Sequence, residues 1–370
     1  MKDIRILIAG GGTGGHLIPG IALYEEFKAK GIDTAVLTGK NDVKSSALND
    51  VEKKDIFSYS ARTLSWNILK FLLFIISFII SFLKSIFIVR NRKYSAVIGM
   101  GGYVSAPALL AGIVLKVPIF LCEQNTRPGK VTLLFARYAE KIFTTFDESA
   151  AYFKDDKRAK ILSAGNPIRK NVLSHASKDE AKNFFNLKHS KRIILVIGGS
   201  QGALQINELF FEMKKIYYDE LKDVGVIWST GAYSYKRFAK ELQSVKLDGS
   251  IYLSPFIDKV GLAYRASDIA ISRSGAGVIM ELAAAGVPSI LIPYPYAADN
   301  HQDANAEVFH KSGASVKISS NEATPEFAGK KLIDMLNNGA QLSRMSKKAL
   351  EISKINASKD IVERIVADLS

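Results

Sequence analysis

The residues best suited to chemistry lie in one stretch near the carboxyl end of the chain. Residues 272–306 read SRSGAGVIMELAAAGVPSILIPYPYAADNHQDANA, where a glycine turn joins a strand to a helix predicted over 278–285. Small residues in the turn let a ligand approach the backbone, and free amide groups at a helix start suit phosphate. Glu281 lies about one turn into the helix, where its carboxylate could accept both hydroxyls of a ribose. A structural turn with a solvated Glu281 is the alternative.

A glycine-rich loop that ends in a histidine lies between the first predicted strand and a helix predicted over about 19–30. The loop reads GGGTGGH, and its spacing fits the dinucleotide fingerprint G-x-G-x-x-G. That fingerprint also needs an acidic residue at the end of the second strand, which ends here at Thr38. The five glycines therefore indicate a loop that accommodates a bulkier group. The imidazole of His16 is a suitable proton acceptor near neutral pH, and a hydrogen-bonded scaffold histidine is the alternative.

The most apolar stretch begins near Leu64 and ends near Lys93. Residues 71–83 read FLLFIISFIISFL and carry no charge. Length alone would allow a membrane span. The strands predicted on either side belong to one parallel sheet, however, and a single span would place them on opposite sides of the bilayer. Polar residues recur at helical spacing and form one narrow stripe, while cations and no acidic residues border the apolar surface. We expect this helix to lie on an anionic membrane surface; a helix buried in a core or in a dimer interface is the alternative.

Composition limits the class of protein. A chain of 370 residues, 48% of them hydrophobic, fits two domains with real cores. Its single cysteine, Cys122, excludes an internal disulfide and is predicted to be a buried thiol. The five histidines are scattered without cysteine partners and no Asp-x-Asp pair occurs, so we expect no metal ion. The first apolar run is too short for a signal peptide, which predicts a cytoplasmic protein.

The net charge of +14 indicates an anionic partner. Nucleic acid, a membrane surface and a phosphorylated substrate all fit that charge. A nucleic-acid-binding protein should interleave basic and aromatic residues on one surface. Because the cations here flank an aliphatic helix, we expect no nucleic-acid partner.

The second half of the sequence repeats the plan of the first. ILVIGGSQGA at residues 194–203 echoes ILIAGGGTGGH at residues 6–16. Each half opens with a strand, a glycine turn and a helix, which predicts an α/β fold with two Rossmann-like domains whose parallel sheets face a cleft. The predicted domains are residues 1–166 and 167–346, and a carboxyl-terminal helix over about 347–370 is expected to pack back on the first domain.

Six motifs follow one another along the chain. They are GGTGGHLIPG at residues 11–20, GMGGYVSAP at 99–107, EQN at 123–125, GNPIR at 165–169, GGSQGA at 198–203 and the stretch at 272–306. Through these motifs the sequence resembles the MurG family of glycosyltransferases over nearly its whole length. The resemblance implies a GT-B fold and the inverting transfer of N-acetylglucosamine from UDP-N-acetylglucosamine to the muramyl 4-hydroxyl of lipid I. It also implies an enzyme of peptidoglycan synthesis that forms lipid II without a cofactor, at the cytoplasmic face of the inner membrane.

The resemblance assigns roles to individual residues. In the first, acceptor-binding domain, His16 would be the base or would stabilise the acceptor side. In the second, donor-binding domain, Ser200 and the turn at Ala276 would hold the diphosphate. Ile257 would present its backbone to uracil, and Glu281, the second catalytic candidate, would take the ribose. The complete substrate-binding set is Thr13, Gly14, Gly15, Asn125, Arg169, Ser200, Ile257, Ala276, Gly277, Val278, Ile279, Met280, Glu281 and Gln302.

Two positions depart from the pattern of the family. Thr132 stands where the family often has Asn, and Asn300 stands where it usually has an acidic residue before the HQ pair. A UDP-sugar epimerase or another GT-B glycosyltransferase is the alternative function, and an epimerase would need no lipid-facing helix. A nicotinamide oxidoreductase fits less well, because the second strand does not end in an acidic residue.

Overall fold

The computed structural model describes residues 4–62, 67–154, 158, 160–199, 202–244 and 250–370. The chain divides into two compact units. The first unit comprises Met1–Arg169 and Lys354–Ser370, and the second unit comprises Lys170–Ser353. The sequence predicted changes of domain at residues 166–167 and near residue 347, whereas the units change at residues 169–170 and 353–354.

A seven-stranded sheet forms the centre of the first unit. Its strands β1–β7 are Arg5–Ala9, Asp33–Gly39, Ile56–Tyr59, Ala96–Gly99, Ile119–Glu123, Lys141–Thr144 and Ile161–Ser163. The helices α1–α4 are Gly14–Ala29, Ile68–Asn91, Gly102–Val114 and Lys130–Phe135. All neighbouring strands are parallel, in the order β3-β2-β1-β4-β5-β6-β7. The order reverses between β1 and β4, and ligands bind at the carboxyl ends of strands beside such a switch point.

The second unit has a six-stranded parallel sheet. Its strands β8–β13 are Arg192–Ile197, Val224–Ser229, Ile251–Ser254, Ile269–Ser272, Ser289–Leu291 and Ser315–Lys317. The helices α5–α13 are Lys178–Phe184, Leu204–Ile216, Tyr218–Leu221, Ala232–Ser244, Val260–Ala266, Ala276–Ala284, His301–Lys311, Pro325–Asn337 and Gly339–Ile352. The strand order β10-β9-β8-β11-β12-β13 is that of a Rossmann fold, with its switch point between β8 and β11. The predicted α/β fold with two Rossmann-like domains is confirmed.

Both faces of the first sheet are covered by apolar side chains. Ile6 and Ile8 pack with Phe27 on one face, whereas Leu7 and Ala9 belong to the core on the other face. A parallel strand that is buried on both sides reads as a continuous apolar run, and β1 has that pattern. Cys122 lies in the same core as a free buried thiol, as predicted, and burial raises the pKa of that thiol.

The carboxyl-terminal region consists of two helices rather than the single helix predicted over 347–370. Helix α13 ends at Ile352, and α14 follows as Ala357–Leu369. Ser353 has an extended backbone, which stops α13. Helix α14 then packs on the first unit, where its residues Ile361 and Val362 are buried and Glu363 accepts a 3.0 Å hydrogen bond from Lys30 Nζ.

Two helices at the glycine turns start earlier than predicted. Helix α1 begins at Gly14 and contains Pro19, where the sequence placed its start. Its first turn closes because Thr13 O accepts hydrogen bonds from His16 N and Leu17 N, at 3.2 and 3.1 Å. Helix α10 begins at Ala276, two residues before the predicted start at 278.

Helix α2 turns the serines of its polar stripe inward and most of its apolar surface outward. Ser81 and Ser85 are buried, and Ser81 Oγ donates to Ser60 O at 3.3 Å. Lys84 Nζ donates to Ser58 O at 2.6 Å. The residues that point outward, each between 49% and 79% exposed, are Ile68, Leu69, Leu72, Ile76, Ile79, Ile80, Leu83 and Phe87. This polarity is the reverse of an ordinary surface helix, whose apolar face covers the core.

By length and composition α2 could also cross a membrane. The strand β3 before it and the strand β4 after it belong to the same sheet. A single span between them would place two strands of one sheet on opposite sides of a bilayer, which the pairing forbids. Residues 64–66, where the sequence begins this helix, lie outside the described residues.

Candidate active site

His16 lies at the switch point of the first sheet. Its ring packs against the glycine turn after β4, because a Cβ placed on Gly101 or on Gly102 would lie 3.1 Å from ring atoms. Both glycines have positive φ, 82° and 70°, so other residues would be strained there. The Nδ1 atom is 3.0 Å from Thr13 Oγ1, and the Nε2 atom is directed towards Gly101. The predicted loop thus brings Thr13, His16 and the second glycine motif together.

Asp42 fixes the first glycine loop, although the sequence alone did not reveal it. Its Oδ2 atom accepts hydrogen bonds from Gly12 N at 2.8 Å, from Thr38 Oγ1 at 3.0 Å and from Gly39 N at 3.2 Å. A Cβ on Gly11 would lie 2.4 Å from the same oxygen. Asp42 follows β2 in the chain and thus holds the first glycine loop in place.

Asn125 belongs to a loop that Glu123 organises at the end of β5. Only 3% of Glu123 is exposed, and its carboxylate accepts 3.0 Å hydrogen bonds from Asn125 N and Gly129 N. Burial raises the pKa of the Glu123 carboxyl, and hydrogen bonds from Thr132 and from these amides oppose the rise. Thr132, which departs from the family pattern, therefore supports this loop.

Gln124 points towards the glycine turn after β4, against which His16 packs. Its Nε2 atom donates to Cys122 O at 3.0 Å. Its Oε1 atom is buried and accepts no hydrogen bond from the part of the chain that the structure describes. That oxygen is 3.7 Å from the position of a Cβ on Gly101. A buried acceptor of this kind needs a donor, and it lies beside the same turn as the imidazole.

In the second unit, the predicted turn after β11 forms the start of α10. No side chain caps this helix, and a Cβ on Gly275 or Gly277 would meet no atom within 4 Å. The turn is therefore open to a ligand. Ser274 anchors it, because its Oγ donates to Gln302 O at 2.8 Å and its carbonyl accepts from Asn305 Nδ2 at 3.1 Å. Gln302 was predicted from the sequence as a site residue, whereas no role was predicted for Asn305.

Glu281 lies in the middle of α10 and is 9% exposed. Its Oε2 atom accepts a 2.7 Å hydrogen bond from the hydroxyl of Tyr264 on α9. This bond fixes the orientation of the carboxylate. The side chains of Ile279 and Met280 on the same helix are buried in the core, so a ligand would meet only their backbone.

Arg273 is a second residue that the sequence alone did not reveal. Its guanidinium is buried, and Nη1 donates to Ile292 O and Pro293 O at 3.1 and 3.0 Å. Nη2 donates to Gln205 Oε1 at 2.9 Å, and the ring of Tyr294 lies 5.4 Å from the guanidinium carbon. Arg273 therefore joins the ends of β11 and β12 beside the open turn.

Other predicted site residues lie in four places. Gly14 and Gly15 open α1 beside His16, and Ile257 is buried in the loop after β10. Arg169 is the last residue of the first unit, and its Nε atom is buried without a hydrogen-bond partner among the described residues. Ser200 lies outside the described residues. Within those residues, no three His, Cys, Asp or Glu side chains come together to hold a metal ion.

Two family models match the chain in sequence order. The N-terminal domain of glycosyltransferase family 28 matches residues 6–144, and the C-terminal domain of that family matches residues 193–365. The UDP-N-acetylglucosamine--N-acetylmuramyl-(pentapeptide) pyrophosphoryl-undecaprenol N-acetylglucosamine transferase of Halothermothrix orenii is 34% identical, over 98% of this chain and 98% of the relative. The chain belongs to the MurG family of glycosyltransferases. The resemblance inferred from the six motifs is thereby confirmed, and the protein is a glycosyltransferase.

Solved structures share the fold of this MurG-family chain. MurG of Acinetobacter baumannii matches with a TM-score of 0.73 and 24% identity, over 98% of this chain and 99% of that chain. A UDP-GlcNAc 2-epimerase from Neisseria meningitidis, bound to UDP-GlcNAc, matches with a TM-score of 0.68 and 15% identity, over 98% and 100%. Because transferase and epimerase have the same fold, the fold does not separate the two activities, whereas the full-length sequence identity favours the transferase.

Proposed function

We propose that this enzyme transfers N-acetylglucosamine from UDP-N-acetylglucosamine to the 4-hydroxyl of the muramyl sugar of lipid I. The product is lipid II, a precursor of peptidoglycan. One observation carries the proposal: the unit that contains His16 also exposes the apolar surface of α2. A transferase with a lipid acceptor needs such a surface on the domain that carries its base, and an epimerase acting on a soluble sugar nucleotide does not.

The second unit is the donor domain in this proposal. The uncapped start of α10 and its open turn suit the diphosphate of UDP. Glu281 accepts the ribose hydroxyls, and Tyr264 holds its carboxylate in place. The backbone of Ile257 contacts uracil, and Gln302 contacts the transferred sugar. Ser200 holds the diphosphate by hydrogen bonding and Arg169 neutralises its charge as it leaves, so that no metal ion is required.

The first unit is the acceptor domain, and His16 is the general base. In the tautomer that carries its proton on Nδ1, His16 donates to Thr13 Oγ1 at 3.0 Å, and Nε2 is the atom that accepts the proton of the acceptor hydroxyl. The acceptor oxygen forms its bond to the anomeric carbon while its proton passes to Nε2. The bond between that carbon and the β-phosphate oxygen breaks, and UDP leaves with the electron pair. Attack from the face opposite UDP inverts the anomeric centre.

A peripheral position on the cytoplasmic face of the inner membrane follows from the acceptor. The outward aliphatic side chains of α2 enter the membrane interface. Arg90, Arg92 and Lys93 at the end of the helix face its anionic lipids. This contact brings the glycine loop to a sugar that lies just outside the bilayer.

Release of UDP with and without lipid I tests the proposal. We expect UDP to appear only when lipid I is present. One disaccharide lipid should form for each UDP, with the anomeric configuration of the transferred sugar inverted relative to the donor. Full activity should persist in EDTA. Conversion of UDP-N-acetylglucosamine into an epimer without lipid I would overturn the proposal in favour of the epimerase, and turnover that stops in EDTA and returns with magnesium would overturn its metal-free part.

A further inference from the structure

A small groove opens on the first unit between α2 and α3. Its lining includes Arg62, Phe74, Ser77, Phe78, Tyr103 and Pro107. The serines of α2 fix one wall, because Ser77 Oγ and Ser81 Oγ both donate to Ser60 O, two residues before Arg62. The groove is therefore a built feature of the packing between α2 and the chain that leaves β3.

Apolar, cationic and phenolic side chains line this groove together. Phe74 and Phe78 are half-buried neighbours, with ring centroids 6.1 Å apart, on the helix that carries the outward apolar surface. Arg62 and Tyr103 belong to the same lining. A ring carbon of Tyr103 lies 3.3 Å from the position of a Cβ on Gly12, in the glycine loop that precedes His16. The groove thus combines an apolar wall, a cation and a phenol that reaches the glycine loop.

The charge of Arg62 is not balanced within the groove. Its side chain is exposed, and no hydrogen bond or ion pair joins it to another described residue. No acidic residue occurs between Asp55 and Glu123, so the segments that line the groove contribute no carboxylate. A guanidinium presents paired N–H donors that match phosphate oxygens. The groove is complementary to an anion that carries an apolar chain.

We infer that this groove binds the diphosphate and the first isoprene units of the lipid acceptor, with Arg62 paired to the diphosphate. The inference rests on the proposed function and assigns a place to the part of the acceptor between sugar and membrane. Each part of such an acceptor finds a matching group in the lining: the prenyl chain contacts Phe74 and Phe78, the diphosphate contacts Arg62, and the sugar passes Tyr103 towards His16.

Farnesyl diphosphate, a soluble prenyl diphosphate without a sugar, tests this assignment in neutral detergent micelles that contain no anionic lipid. We expect it to bind the wild-type protein and to compete with lipid I in the transfer assay. Arg62→Gln should weaken its binding and raise the KM for lipid I by about tenfold, the effect of losing one charge-assisted contact. The KM for UDP-N-acetylglucosamine should stay the same. Inorganic diphosphate should bind at least tenfold more weakly than farnesyl diphosphate, because it lacks the apolar chain.

Lys116→Gln is the matched control, since it removes one exposed cation beyond the opposite end of α3. It should leave farnesyl diphosphate binding unchanged, and Arg62→Lys should restore part of the loss. Equal effects of Arg62→Gln and Lys116→Gln, or an unchanged affinity in Arg62→Gln, would overturn the assignment.

Direct binding of farnesyl diphosphate is measured without turnover. Arg62-dependent binding in a protein that transfers no sugar would therefore refute the proposed function and retain the groove, whereas normal transfer with Arg62-independent binding would refute the groove alone.

Discussion

Single polar side chains set the shape of both glycine turns. One carboxylate oxygen of Asp42 holds the loop beside His16, and the side chains of Ser274 and Asn305 hold the turn after β11. The glycine spacings are local in sequence, so the sequence alone predicts where the turns occur. The supports are not local: Asp42 and its partner Gly12 are 30 residues apart, and Arg273 bonds a residue 68 positions earlier. No spacing rule could therefore predict them.

Removal of the Asp42 carboxylate should loosen the loop that carries His16. In Asp42→Ala, two backbone amides and the Thr38 hydroxyl lose their shared acceptor, at a cost of about 1–3 kcal/mol. We expect a higher KM for lipid I, an unchanged KM for UDP-N-acetylglucosamine and faster hydrogen exchange in the loop. Asp50→Ala, which removes an exposed carboxylate from the same unit, is the control. Identical kinetics in the two variants would refute this role of Asp42.

The ribose role of Glu281 has a direct thermodynamic consequence. Glu281→Ala removes both carboxylate oxygens and leaves the buried hydroxyl of Tyr264 without its acceptor. We expect the affinity for UDP to fall by about 1–3 kcal/mol, measured by calorimetry. Glu326→Ala, on the exposed surface of α12, should have no effect. An unchanged affinity in Glu281→Ala would remove this residue from the ribose site.

The direction in which the polar stripe of helix α2 faces is known only from the structure. The narrow polar stripe is visible in the sequence, but its direction is not, because a stripe of serines fits solvent as well as a protein surface. The structure turns the stripe towards Ser58 and Ser60. Phe74 and Phe78 lean towards the groove, so Ile76, Ile80 and Leu83 are the residues that represent the outward surface.

Membrane binding through α2 should have two separable parts. Replacing Arg90, Arg92 and Lys93 by Glu should abolish the salt-sensitive part, since each cation near an anionic leaflet contributes about 1 kcal/mol. Replacing Ile76, Ile80 and Leu83 by Ser should abolish the salt-resistant part, because each buried aliphatic side chain contributes roughly 1.5–3 kcal/mol. Sedimentation with anionic vesicles at low and high salt measures both, and UDP affinity serves as the folding control. A wild-type protein that ignores anionic vesicles at low salt would show that α2 has another partner.

At the scale of the whole molecule, each unit is a complete Rossmann-like sheet with its own switch point. The glycine turns that join β1 to α1 and β8 to α6 predicted this repetition, because a strand, a turn and a helix are encoded locally in the sequence. The edge strands β3 and β13 were not predicted, since they are short and partly exposed and their pairing partners lie elsewhere in the chain. The break between α13 and α14 was also missed, because helical periodicity continues on both sides of it.

The most direct test of the central claim follows a labelled sugar from UDP-N-acetylglucosamine into lipid. In parallel samples, the wild-type protein is mixed with the labelled donor and with anionic vesicles that either contain or lack lipid I. The label in the lipid phase is then counted. We predict that label enters the lipid phase only with lipid I, with one UDP released per labelled lipid, and that His16→Ala reduces the rate by at least a hundredfold. Label that stays in the aqueous phase in the presence of lipid I would contradict the assignment of this chain as a lipid II-forming transferase.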